Sequence, residues 1–219
     1  MIDLRKELIA IAKEMEVHRI NQGTSGNLSV RIQGGLLITP SSISYKEMSY
    51  RDLLAIDYEG NLITEQADTL QTKGLKPSSE WRLHADILKT RVDINAVLHC
   101  HSIHATALSC HGKSIPSFHY MTAIAGGRDI LCAKYATFGS QELSNNAIEA
   151  LQQRSACLLE HHGQIAVANN INNALKIAIE IETLAQMYLT ACQLGEPKNL
   201  SSKEMDIVLK KFKDLKYQQ

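Results

Sequence analysis

The segment Ala96-Val97-Leu98-His99-Cys100-His101 is an apolar run ending in two histidines spaced i, i+2. Extended backbone alternates its side chains, so a strand here would send His99 and His101 to one face and Cys100 to the other. Two imidazoles on one rigid strand end make half of a metal site, although chance alone could bring two of nine histidines this close. A second apolar run, Ala156-Cys157-Leu158-Leu159-Glu160, ends in His161-His162-Gly163. Upstream of both, Glu80 follows Pro77-Ser78-Ser79 at the head of a helical pattern. Three imidazoles and one carboxylate would satisfy zinc tetrahedrally, and displacement of the carboxylate would open a position for catalysis. A structural zinc site would more usually draw on cysteines, and none here has C-x-x-C spacing.

Close to these donors in the pattern are stretches suited to an anion. Asn21-Gln22-Gly23-Thr24-Ser25-Gly26-Asn27 is dense in glycines, hydroxyls and amides, and Ser41-Ser42 follows an apolar hairpin. Exposed amides and hydroxyls can hold a phosphate without lysines. Ser78-Ser79 adds a hydroxyl pair at a predicted helix N-terminus, where unpaired N–H groups attract anions. The same dipole favours the ionised form of Glu80, and for Glu80 alone dipole compensation is the plainer reading.

The elements that must carry these groups follow from periodicity. Leu4, Leu8, Ile11, Ala12 and Met15 predict a helix over residues 3–18 with Asp3 as N-cap. Leu28, Val30 and Ile32 predict a strand that turns at Gly34-Gly35 into Leu36–Thr39. Leu53–Asp57 with Leu62-Ile63 predicts a second hairpin, and Thr64–Lys76 a surface excursion. Pro77 opens a helix to about Thr90, and a short helix runs from His104 to Cys110. Further helices are predicted from about Gln141 to Arg154, from Asn172 as cap to Leu194, and from a Ser201/Glu204 capping box to near Phe212. Gln164–Ala168 continues as strand. No repeat or interior linker divides the chain, so residues 1–219 read as one layered sheet-and-helix domain.

Composition narrows the class. The 23 Lys+Arg balance 23 Asp+Glu, so no global field favours nucleic acid or a membrane surface. Five scattered cysteines suggest reduced thiols in a cytoplasm. Met1-Ile2-Asp3-Leu4-Arg5-Lys6-Glu7 carries charge where a signal peptide needs apolar residues, and no window approaches the ~20 apolar residues of a span.

Several motifs together resemble the class II aldolase/adducin-head family. They are Asn21 to Arg31, Lys76-Pro77-Ser78-Ser79-Glu80-Trp81-Arg82, His99-Cys100-His101 and His161-His162-Gly163, in that order. Ile115-Pro116 through His119-Tyr120-Met121, Tyr135-Ala136-Thr137-Phe138-Gly139 and Lys211-Phe212-Lys213 narrow the resemblance to the L-fuculose-1-phosphate aldolase branch. The resemblance implies a three-layer α/β/α fold with a central, largely antiparallel sheet. It implies a cytoplasmic homotetramer with active sites between subunits, acting on a sugar phosphate and binding neither nucleic acid nor membrane. Zinc, with manganese and cobalt as alternatives, would be held by His99, His101 and His162, with Glu80 as a displaceable ligand and the catalytic carboxylate. His161 would then be a neighbour. The substrate phosphate would lie against Gly26, Asn27, Ser41, Ser42, Ser78 and Ser79. Tyr120 would reach a neighbouring subunit's site to assist proton transfer, and Phe138 would shape the aldehyde pocket.

The implied reaction is reversible cleavage of a ketose 1-phosphate, L-fuculose 1-phosphate or a related deoxy-ketose 1-phosphate, to dihydroxyacetone phosphate and an aldehyde. Breaking the C3–C4 bond leaves charge at C3, which zinc at the adjacent oxygens would delocalise as an enediolate. In the reverse direction Glu80 would remove the C3 proton. No lysine is among the residues that the resemblance places in the site, so no Schiff base is implied. Three departures bear on the aldehyde. Leu215 stands where the family's aldolases have a C-terminal tyrosine, with Tyr217, the candidate to take its place in the aldehyde pocket, two residues later; the Thr64–Lys76 excursion is longer; and Ser42 replaces a frequent glycine. The family's ribulose-5-phosphate 4-epimerases typically carry aspartate at the Glu80 position, whereas its methylthioribulose-1-phosphate dehydratases share zinc and glutamate. The adducin head, a binding module, has lost the ligands that this chain retains. Unrelated H-x-H folds such as cupins would need a mostly β chain.

Overall fold

Alternation along Asn27–Ile32 sets the sheet. Leu28 and Val30 enter one apolar layer, while Asn27 and Ser29 face the other side. In the computed structural model, which describes residues 1–63 and 74–215, this strand (β1) pairs antiparallel with β2 (Gly35–Ile38) and β4 (Ala96–Cys100). With β3 (Leu54–Asp57), β5 (Cys132–Ala133), β6 (Ala156–Leu159) and β7 (Gly163–Ala168), the order is β3-β2-β1-β4-β7-β6-β5. Only β5 and β6 run parallel, so the sheet is largely antiparallel, as expected.

Two cores flank it. Ala96, Leu98 and Cys100 pack with residues of α1 (Ile2–Val17), α3 (Ile103–Ser109), α5 (Ile171–Cys192) and α6 (Ser202–Asp214). Val97, Ile165 and Val167 point the other way, against α2 (Trp81–Thr90) and α4 (Gln141–Leu151). The result is the expected three-layer α/β/α architecture. Arg31 ties α2 to the sheet: its guanidinium donates to the carbonyls of Leu88, Arg91 and Ile94 at 2.6, 3.0 and 2.9 Å, where the helix ends with unpaired acceptors.

Local differences from the expectations have local causes. The first helix begins at Ile2 without a side-chain cap, so Asp3 lies inside it. The second hairpin shrinks to a single bridge, Ile56 to Leu62, because the Asp57 carboxylate accepts the N–H groups of Glu59 and Asn61 and closes the chain as a side-chain turn. Pro77 bridges to Pro40 and Ser78 N–H donates to the Thr39 carbonyl, which delays α2 to Trp81 and leaves Glu80 as its N-cap. The cap of α5 is Asn170, whose Oδ1 accepts from Asn173 N–H at 2.9 Å, and not Asn172. Ser201 Oγ accepts from Glu204 N–H at 3.2 Å, as half of the expected capping box. Of the Thr64–Lys76 excursion, residues 64–73 lie outside the described residues.

Candidate metal centre

β4 delivers its histidines as alternation requires. His99 is fully buried on the α2 side, while Cys100 faces the opposite core, where burial pushes its thiol up to about 12. His162 arrives from the tight β6–β7 connection, in which His161 takes left-handed backbone (φ 54°) and His162 N–H donates to the Leu159 carbonyl. Gly163 permits this approach, since a Cβ there would lie 2.5 Å from the Cys100 carbonyl oxygen and 3.1 Å from the His101 ring.

The three imidazoles fit a metal ion. Their donor atoms all lie within 4.8 Å of one another, and the rings stand edge to face at 70°, 71° and 72°. His99 Nδ1 donates to the Gln164 carbonyl at 2.9 Å, which leaves Nε2 a bare lone pair. That Nε2 is 3.0 Å from His101 Nε2. Two nitrogens ~2.1 Å from one tetrahedral ion would be separated by ~3.4 Å. Burial pushes His99 down to about 3, so it is neutral, the form a metal ligand requires.

Glu80 completes the set. Its Oε2 is 3.3 Å from His99 Nε2 and its Oε1 3.3 Å from His162 Nε2. Burial alone would raise this carboxyl, but the imidazoles of His99 and His162 and the Asn27 amide outweigh it and hold it at about 2. Asn27 Nδ2 donates to Oε2 at 3.0 Å, whereas Oε1 is buried without a hydrogen-bond partner. An ionised carboxylate oxygen buried without a hydrogen bond beside the imidazole cluster is a polar atom that lacks a cation.

Above these donors opens a cavity of about 380 Å³. Thr24, Ser25, Gly26 and Asn27 form one wall, Pro40, Ser41 and Ser42 a second, and Ser78, Ser79 and Glu80 a third. His101, Tyr135, Ala136, Phe138, His161 and His162 complete the lining. The hydroxyl and amide stretches singled out in the sequence thus share one concave site with the metal donors. Gly26 is confined there: a Cβ would lie 2.7 Å from the His99 carbonyl oxygen.

The remaining candidates divide. Phe138 lines the cavity and is 64% exposed. Tyr120 lies on the 3-10 turn Tyr120–Ala125, outside the cavity lining and 50% exposed. Tyr217 lies outside the described residues. His161 reaches the lining and meets the Tyr135 ring edge-on. Sequence reasoning missed Ser29 and His84, which are fully buried behind Asn27 and Glu80. The signal available for them was spacing, Glu80 to His84 at i, i+4 and Asn27 to Ser29 at i, i+2.

A three-layer sheet with a histidine–carboxylate cluster beneath a hydroxyl-lined cavity is the setting in which the comparisons with known proteins fall. The chain belongs to the Class II Aldolase and Adducin N-terminal domain family, whose model matches residues 6–189. It is 47% identical over 212 residues to the 5-methylthioribulose-1-phosphate/5-deoxyribulose-1-phosphate aldolase of Rhodospirillum rubrum, covering 97% of this chain and 92% of that one. It is 46% identical over 211 residues to the L-fuculose phosphate aldolase of Escherichia coli K12, covering 96% and 94%. A solved L-fuculose 1-phosphate aldolase superposes with a TM-score of 0.89 at 39% identity, covering 96% of both chains.

Proposed function

We propose that this protein is a metal-dependent aldolase that reversibly cleaves a deoxy-ketose 1-phosphate between C3 and C4, giving dihydroxyacetone phosphate and an aldehyde. The observation that carries this reading is the ionised Glu80 carboxylate, its Oε1 buried without a hydrogen bond, set 3.3 Å from both His99 and His162 of the imidazole cluster beneath a cavity rimmed by hydroxyls. A divalent cation held by His99, His101 and His162, zinc being the best match to this donor set, would supply positive charge where the three-carbon fragment becomes anionic. Glu80 is the base that removes the C3 proton in the condensation direction, and its free Oε1 is the oxygen able to accept it. Gly26, Asn27, Ser41, Ser42, Ser78 and Ser79 receive the phosphate through N–H and hydroxyl donors. No lysine lines the cavity among the described residues, so imine chemistry lacks its amine there.

The aldehyde end is assigned to Phe138, with Tyr120 donated by a neighbouring copy in a homotetramer. Both aromatics are half-exposed or more in the single chain, as surfaces awaiting cover would be. The five free thiols suit a reducing cytoplasm, and no helix among the described residues is long and apolar enough to cross a membrane.

The test is a panel of ketose 1-phosphates scored for released dihydroxyacetone phosphate. It includes L-fuculose, 5-deoxyribulose and 5-methylthioribulose 1-phosphates, because the named relatives divide between them. Cleavage of at least one, lost on chelation and restored by zinc, is expected. No release from any of them, or release indifferent to chelator, refutes the reading.

A further inference from the structure

Behind the cavity, the strand β1 and the helix α2 alternate in a buried chain of hydrogen bonds. Ser29 Oγ lies 2.7 Å from His84 Nδ1, His84 Nε2 meets Asn27 Oδ1, and Asn27 Nδ2 donates to Glu80 Oε2 at 3.0 Å. The spacing makes this possible. Residues i and i+2 of a strand are ~6.6 Å apart and residues i and i+4 of a helix ~6 Å, so Asn27/Ser29 and Glu80/His84 interleave. Ser29 and His84 are 0% exposed, Asn27 4% and Glu80 6%, so every link of the chain is buried.

The chain has one direction. Ionised Glu80 can only accept, so Asn27 must turn its NH₂ toward it and its Oδ1 toward His84. Oδ1 can only accept, so His84 carries its proton on Nε2. Burial, partly offset by Glu80, pushes His84 down to about 4, so the ring is neutral and Nδ1 is bare. The Ser29 hydroxyl then donates to Nδ1. One carboxylate oxygen is thereby pinned from behind, while Oε1 stays without a hydrogen bond, 3.3 Å from His162 Nε2. Without the His84 N–H, the Asn27 amide would be held by Glu80 alone, and its Oδ1 would lose the donor that fixes it from behind.

We propose that His84 is a positioning residue for Glu80: the relay Ser29→His84→Asn27 fixes the Asn27 amide, and through it the carboxylate, so that Oε1 is presented to the substrate. The proposal rests on the reading of Glu80 as the base.

Histidine-selective ¹⁵N NMR of the zinc-loaded protein reads the relay without turnover, with His84 assigned by its absence from His84→Gln. The neutral Nε2–H tautomer is expected at pH 7; an Nδ1–H tautomer or an imidazolium overturns the proposal. In the kinetic arm, His84→Leu, which has no donor, should lower kcat tenfold or more. KM should stay within about threefold and metal content per chain unchanged. His84→Gln keeps an N–H for Asn27 and should recover most of the loss. Folded His84→Leu with wild-type kcat, or Leu and Gln variants equally slow, overturns the proposal. Should His84→Leu fail to fold, Ser29→Ala decides. It removes the donor to Nδ1 and almost no volume, so a several-fold fall in kcat with mixed His84 tautomers is expected, and wild-type values for both overturn the relay. A wild-type protein that cleaves no ketose 1-phosphate removes the role given to Glu80, while the tautomer still decides the relay.

Discussion

Asn27 and His99 stand directly opposite each other in the β1–β4 pair. Opposed residues of an antiparallel pair share a face, so this one register places the amide that grips Glu80 beside the first imidazole of the cluster. A slip of β1 by one residue would turn Asn27 and Ser29 into the core occupied by Leu28 and Leu98. The amide that holds the carboxylate and the first metal donor are therefore fixed together by one pairing that is buried along its whole register.

Glu80→Gln tests the carboxylate. The amide is nearly isosteric and its oxygen can still accept from Asn27, but the group facing His162 and the cavity would be an NH₂ that cannot take a proton. Turnover should fall ~10²–10⁴-fold, with little change in melting temperature and with metal retained by the three histidines. A coupled assay for dihydroxyacetone phosphate and elemental analysis measure both. Wild-type turnover would remove Glu80 from the chemistry.

Gly163→Ala tests the close approach of β7 to β4. The new Cβ would sit 2.5 Å from the Cys100 carbonyl oxygen, which is backbone and cannot rotate aside, and 3.1 Å from the His101 ring. The strands must part, costing ~1–3 kcal/mol in urea denaturation, and the displaced His101 should weaken zinc affinity ~10–100-fold in competition with a chromophoric chelator. Unchanged affinity would mean that His101 is not held against Gly163 in solution.

How far the sequence discloses this site depends on the range of the information. The alternation of His99, Cys100 and His101 and the helical period of Leu83, Ile87 and Leu88 are local, and the folded chain keeps both. Turn chemistry is harder to read, because a side chain can take the place of a ladder. Asp57 does so and reduces a hairpin to one bridge. Asn170 and Asn172 compete for one cap, and chemistry alone does not choose between two asparagines. The relay from Ser29 to Glu80 could not be seen, since it depends on the register of β1 against a helix some fifty residues later. Each of its residues has a commonplace reading when taken singly.

Acid should destabilise the metal-free protein with a contribution assignable to His84. Its folded pKa is about 4, against 6.5 for an unperturbed histidine, because burial disfavours the charged ring. Between those values the unfolded chain binds a proton that the folded one refuses. Stability from this group is complete above pH ~6.5, falls as pH drops and reaches its full loss near pH 4, on the order of 3 kcal/mol. The depressed values of His99 and Glu80 act with the same sign, so the wild-type slope exceeds one proton. Denaturation of wild type and His84→Gln at pH 7.5, 5.5 and 4.5 should give curves that converge toward low pH, with the variant's the shallower. Parallel curves would mean that His84 binds its proton equally in both states.

Ser42→Gly should move stability and substrate affinity in opposite directions. Ser42 holds left-handed backbone at φ 65° on the cavity rim, a conformation that costs an L-residue ~1–2 kcal/mol and glycine almost nothing. The greater freedom of glycine in the unfolded chain returns ~0.4–1 kcal/mol of that, so a net gain of up to ~1 kcal/mol is expected in melting experiments. The hydroxyl lost is one of those assigned to the phosphate, and one such hydrogen bond is worth ~0.5–1.5 kcal/mol, so KM should rise about 2–10-fold with kcat unchanged. Ser42→Ala separates the two effects: it loses the same hydroxyl and keeps the strain, so its KM should match that of the glycine variant while its melting temperature stays at or below wild type. If KM is unaffected in both, the phosphate does not reach Ser42.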